Sequence, residues 1–134
     1  MPHVVIEYSA NLESEVSPVR MVETVHRAIA ENPVFQIAAI RTRAVKYDHF
    51  LVADGNPENG FIAVTIRIAP GRDPATRKAT SDSVLSALSR LVGDTFDRHG
   101  LALSVEVTEL DDVGMSRENR FHAQQSAEPT SPAP

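Results

Sequence analysis

Phe61-Ile62-Ala63-Val64-Thr65-Ile66-Arg67-Ile68-Ala69-Pro70-Gly71-Arg72-Asp73-Pro74 is the stretch whose reading decides the fold. Ile62, Val64, Ile66 and Ile68 alternate with smaller or polar residues, the pattern of a strand with one face buried. Pro70-Gly71-Arg72 reads as a turn. Asp73 is a good N-cap, and Pro74 fits the first helical position, where a missing N–H costs nothing. The helix that starts there is read as running to about Arg98, with Val84, Leu85, Leu88, Leu91, Val92 and Phe96 forming one apolar stripe. His99-Gly100 is its stop signal. Leu101 to Leu110 then alternates again, Leu103, Val105 and Val107 against Ser104, Glu106 and Thr108.

The same order of signals occurs earlier in the chain. His3 to Ser9 contains the β-branched run Val4-Val5-Ile6 and reads as a strand. A polar connector over residues 10–16 leads to Ser17-Pro18, a second capped start. Val22, Val25 and Ile29, with Met21 beside them, mark one apolar helical face. Asn32-Pro33 ends that helix. Gln36 to Val45 reads as the next extended run, Phe50 to Ala53 as a short extra strand, and 54–60 as turn and loop.

Strand, helix and strand therefore occur twice, over about 2–55 and 61–110. Each half can be a β-α-β unit with parallel strands and a right-handed crossover. The expectation is an α+β fold: one domain over 1–122, with a four-stranded sheet and two helices on one of its faces. The other face is expected to be apolar and covered by further subunits. Residues 111–122 are expected to be ordered against a neighbour, and 123–134, with three prolines, to form a disordered tail.

Composition narrows the function. A chain of 134 residues with 42% hydrophobic and 23% charged residues suits one globular domain. No stretch approaches the roughly 20 apolar residues that span a bilayer, and no basic region followed by an apolar run marks a secretion signal. Cytoplasm is the expected location and no membrane partner is expected. With no cysteine there are no disulfides or thiolate metal sites. A formal net charge of −5 and 5% aromatic residues argue against nucleic-acid binding.

The chemistry-bearing feature is the start, Met1-Pro2. If Met1 is removed, Pro2 carries a secondary amine held at the end of a strand. Burial and a nearby arginine both disfavour the ammonium form and bring its pKa towards neutrality, where a general base works best. Met-Pro is also a common start, so it acquires meaning only in company. Arg41 and Arg43 supply some, because alternate positions of a strand share a face. A solvated sheet face explains that pair as simply. His3, His26, His49, His99 and His122 lack metal-ligand spacing and read as surface or structural residues. Ser9 and Ser104 have no neighbouring His and acid pattern to make a nucleophile.

Taken together, these residues resemble the tautomerase superfamily, whose members use an amino-terminal proline as general base. Pro2-His3, Glu7, Ser9, Asn11, Ile40-Arg41 with Arg43, Ala53-Asp54-Gly55, Gly71-Arg72, Leu101 with Leu103-Ser104, Glu109-Leu110, Asn119 and His122 are similar to the 5-carboxymethyl-2-hydroxymuconate Δ-isomerase branch. The resemblance implies Pro2 as the catalytic base and Arg41 and Arg72 as active-site arginines. It also implies a homotrimer and a place in homoprotocatechuate (4-hydroxyphenylacetate) degradation. Arg43 could assist in binding or form a subunit salt bridge.

The chemistry agrees with that resemblance. Moving a proton from a dienol hydroxyl to a distant carbon needs one group that acts as base and then as acid, with no cofactor or metal. A polycarboxylate substrate calls for guanidinium groups. Two other readings are another proline-based tautomerase, hydratase or decarboxylase of an unsaturated or keto acid, and a non-catalytic trimeric binding protein.

Overall fold

The computed structural model describes residues 2–94 and 100–121. Its elements are strand β1 (His3–Ser9), helix α1 (Pro18–Ala30), strand β2 (Arg41–Tyr47), strand β3 (Gly60–Ile68), helix α2 (Pro74–Val92) and strand β4 (Leu101–Glu109). They form one sheet in the order β2-β1-β3-β4. β1 runs parallel to β2 and β3 parallel to β4, while β1 and β3 are antiparallel at the centre. Two β-α-β units therefore meet strand to strand, as the repeat in the sequence predicts.

Both helices begin as their sequences dictate. Ser17 Oγ accepts the N–H of Arg20 at 3.4 Å, and Asp73 Oδ1 accepts that of Thr76 at 2.8 Å. The Thr76 N–H holds the Asp73 carboxyl below its usual range. Such caps contribute about 1 kcal/mol each. The helices cover one face of the sheet. Val4, Ile6 and Tyr8 of β1 and Ile62, Val64, Ile66 and Ile68 of β3 meet Met21, Val25 and Ile29 of α1 and Val84, Leu88 and Val92 of α2 in one core.

Four expectations change. The extended run predicted from Gln36 starts only at Arg41, and Ile37–Ala39 is a 3-10 turn. The ladder explains this, since Arg41 pairs with His3, the first residue of β1, and 36–40 have no strand to pair with. Phe50 to Ala53 is not a strand: the N–H of Gly55 bonds to Val52 O at 3.0 Å and Ala53 has φ 55°, which makes it a turn. α2 ends at Val92, because Gly93 adopts φ 58° and donates its N–H to Ser89 O. Phe96, Arg98 and His99 lie outside the described residues, as do His122 and the tail. The uncovered sheet face is mixed instead of apolar, for alternation places His3, Glu7, Arg41, Arg43, Arg67 and Glu106 there beside Val5, Val45 and Phe61.

Among the described residues, no helix is long and apolar enough to cross a membrane.

Candidate active site

The topology gathers the relevant residues at one end of the sheet. β1 and β2 begin where β3 and β4 end, so Pro2, Arg41, the turn carrying Arg72, and Glu109 share one edge of the molecule. Pro2 is buried. Its carbonyl accepts the N–H of Arg41 at 3.1 Å, extending the β1–β2 ladder by one bond. His3 pairs with Arg41 on one side and with Arg67 on the other.

A cavity of about 460 Å³ opens at this edge, lined among others by His3, Gln36, Arg41, Met115, Arg117 and Asn119. The Arg41 guanidinium is held in two ways. Its Nη1 donates to Ala39 O at 3.0 Å, and its Cζ lies 5.7 Å from the centroid of the Phe121 ring, a cation–π distance. The described part of the segment after β4, residues 110–121, has no regular secondary structure and folds back on its own chain, where Asn119 Nδ2 donates to Ala38 O at 3.4 Å. In the described part, Asn119 and Phe121 thus touch the chain's own cavity rim.

His3 belongs to this cavity, although its sequence context suggests only a surface or structural histidine. Burial pushes its pKa below the ordinary value, and the Arg43, Arg67 and Arg41 charges push it in the same direction. The ring is therefore neutral near pH 7, able to donate from one nitrogen and accept at the other. The available signal was its place beside Pro2 on the arginine face of the sheet.

The other expected site residues lie nearby but not on the cavity wall. Pro2 is buried and directly precedes His3 in the chain. Arg43 pairs with Val5, two positions along the strand, and is exposed. Arg72 follows Gly71, which turns the chain at φ 113°. Its Nη2 donates to Val34 O at 3.1 Å, and its Cζ lies 5.9 Å from the Phe35 ring centroid. The structure thus brings Arg41 into the cavity, Pro2 against Arg41, and Arg72 to the same edge.

A larger groove, about 860 Å³, runs between the outer surfaces of α1 and α2 and includes Arg20, Arg27, Arg90 and Glu31. Its lining includes neither Pro2 nor Arg41. Volume alone does not mark the site, because this groove has no buried base and no link to the Pro2 edge.

Two β-α-β units joined through antiparallel central strands, with a basic corner at a proline-led strand, define a tautomerase-fold protein. A fused 4-OT symmetric trimer has the same fold, with a TM-score of 0.67 at 14% identity over 92% of this chain and 97% of that one. The family model described as 5-carboxymethyl-2-hydroxymuconate isomerase matches residues 2–125, and the chain belongs to that family. It is similar to the Escherichia coli 5-carboxymethyl-2-hydroxymuconate Delta-isomerase, at 27% identity over 92% of this chain and 98% of the relative. A crystal structure of a 5-carboxymethyl-2-hydroxymuconate isomerase from Deinococcus radiodurans R1 superposes with a TM-score of 0.83. Its identity is 28%, over 91% of this chain and 92% of that one. The chain is accordingly an isomerase.

Proposed function

We propose that the chain, once Met1 is removed, converts 5-carboxymethyl-2-hydroxymuconate to its 2-oxo-3-ene isomer with Pro2 as the general base. The observation that carries this reading is the backbone bond from Arg41 to Pro2 beside a cavity that Arg41 itself lines. A base and a carboxylate-binding cation are then fixed relative to each other by the sheet.

The steps need only groups of the chain. The Pro2 nitrogen takes the proton of the 2-hydroxyl and, as a secondary ammonium, returns one to C5, so that the conjugated double bonds shift and the proton count balances. Arg41 binds a carboxylate and stabilises the enolate charge as it develops. Arg72, at the same edge, takes part once its guanidinium leaves the Val34 carbonyl for the substrate. Arg43, exposed and outside the cavity, assists through its field. Burial and these cations lower the pKa of the amine and keep it unprotonated near neutrality. In a chain that retains Met1 the Pro2 nitrogen is an amide and cannot act.

The half-exposed sheet face with Val5, Val45 and Phe61 supports assembly as a homotrimer, in which a neighbour covers it. The substrate places the enzyme in aromatic-compound catabolism of the homoprotocatechuate type, in the cytoplasm.

The test is a ketonisation assay against pH, on protein shown by mass spectrometry to begin at Pro2. Activity limited by one basic group near neutrality, and a large fall in kcat for Pro2→Ala with assembly intact, is the expected result. Full activity in Pro2→Ala, or in protein that keeps Met1, overturns the role of Pro2.

A further inference from the structure

Arg117 stands on the cavity wall formed by the returning C-terminal segment. It lines the same cavity as Arg41 and His3. Arg41 belongs to an edge strand of the sheet, whereas Arg117 belongs to the segment that crosses in front of it. The segment is held to the body of the chain near Arg117, by Asn119 on Ala38 O and by Phe121 against the Arg41 guanidinium. Among the described residues Arg117 forms no ion pair.

The charges around it favour an anion. Among the described residues, Glu118 is the one carboxylate on the cavity wall, and Arg120 Nε donates to its Oε2. That pairing offsets the negative charge that would repel an anionic ligand. Arg41 and Arg117 are left as two cations on one cavity, against a formal net charge of −5 for the chain. Two guanidinium groups lining one cavity, one from a strand and one from the returning segment, match a molecule with separate carboxylates. A monocarboxylate could engage only one of them.

Resting on the isomerase reading above, we propose that Arg117 is a specificity-determining residue that binds a second carboxylate of the substrate, across the cavity from the carboxylate held by Arg41. The site then selects polycarboxylates by the number and separation of their charges. The C-terminal segment is part of the substrate site, and its sequence sets which acids fit.

The experiment uses the full chain as wild type, Arg117→Gln, Arg117→Lys and Arg90→Gln. The last removes the same charge from the remote helical groove. Binding of propane-1,2,3-tricarboxylate and of the monocarboxylate butyrate, neither of which can be isomerised, is measured by calorimetry, with circular dichroism confirming that each variant is folded. Arg117→Gln should weaken the tricarboxylate by about tenfold or more, the scale of a lost charge-assisted pair, and change butyrate, with its single carboxylate, much less. Arg117→Lys should restore part of the loss, and Arg90→Gln should change neither probe. In turnover, KM should rise more than kcat falls. Equal affinities in wild type and Arg117→Gln, an equal loss for both probes, or no tricarboxylate binding by wild type overturns the proposal. If wild type fails to isomerise the muconate yet Arg117→Gln loses tricarboxylate affinity selectively, the isomerase reading falls and the Arg117 subsite stands.

Discussion

The N–H of Arg41 donates to the carbonyl oxygen of Pro2 at 3.1 Å, so the proposed base and the cation beside it are joined through one backbone bond. The bond continues a parallel ladder in which His3 faces Arg41 and Val5 faces Arg43. Neither residue can move along the strand without breaking the register of the other. Only one of the two arginines lines the cavity.

That distinction gives the first prediction. Arg41→Ala should lower kcat/KM on the order of 10²-fold or more, the loss expected when a preorganised charge is removed from a developing anion. Arg43→Ala should lower it by less than about tenfold, because an exposed charge acts through screened solvent. Equal losses in side-by-side steady-state assays would show that Arg43 also touches substrate.

The fold was largely legible because its signals are local. Ser17-Pro18 and Asp73-Pro74 announce both helices, and the alternation from Ile62 to Ile68 sets the buried face of the central strand. What stayed hidden depends on partners distant in sequence. Residues 36–40 are apolar enough to be a strand, but the ladder has nothing for them to pair with before His3. The end of α2 was signalled by Gly93, yet the apolar stripe suggested a longer helix. At the site, the Met1-Pro2 start and the two arginine segments were visible. The position of His3 depends on sheet register, and that of Arg117 on a segment folding back across it. Beyond the place of His3 next to Pro2, neither leaves a local pattern. The engagement of Arg72 with Val34 and Phe35 is likewise a contact between loops that no periodicity predicts.

Asn59 provides a prediction about stability. Its buried side chain donates to Val52 O and to Asp54 Oδ1, each at 3.0 Å, and accepts the Gly100 N–H at 3.1 Å. It thereby ties the 52–59 turn to the start of β4, at the end of the sheet opposite Pro2. Asn59→Ala leaves the Gly100 N–H without this acceptor and should cost about 2–3 kcal/mol. Urea unfolding at fixed protein concentration measures it. An unchanged midpoint would mean that water replaces the side chain without loss.

Tyr8 gives a prediction at high pH. Its ring is buried and its hydroxyl donates to Glu13 Oε2 at 2.5 Å. Burial first, and then that bond, push the phenol up to about 12. An unfolded tyrosine titrates near about 10. Because the folded state holds its proton more tightly, this contribution to stability is complete below about pH 10 and is lost as pH rises towards 12. Tyr8→Phe should flatten the alkaline decline of the unfolding midpoint over that window. An unaltered slope would assign the decline to other groups.

His3 titrates with the opposite sense. Its folded pKa lies below the ordinary 6.5, first through burial and then through Arg43, Arg67 and Arg41. Between the folded value and 6.5 the unfolded state binds more protons, so stability rises with pH through that interval and is lost as pH falls through it. Near pH 7 the ring is neutral and adds no further cation beside Pro2. The imidazole resonances of His3, followed by NMR against pH, should therefore have a midpoint below 6.5. Arg43→Gln should move that midpoint upward, since it removes the largest of the three arginine contributions while leaving the burial. A midpoint in the wild type at or above 6.5 would put a protonated His3 in the cavity, and the neutral polar role assigned to it would have to be abandoned. If Arg43→Gln left a low midpoint unmoved, burial alone would account for the shift, and the arginines would act on substrate without tuning the histidine between them.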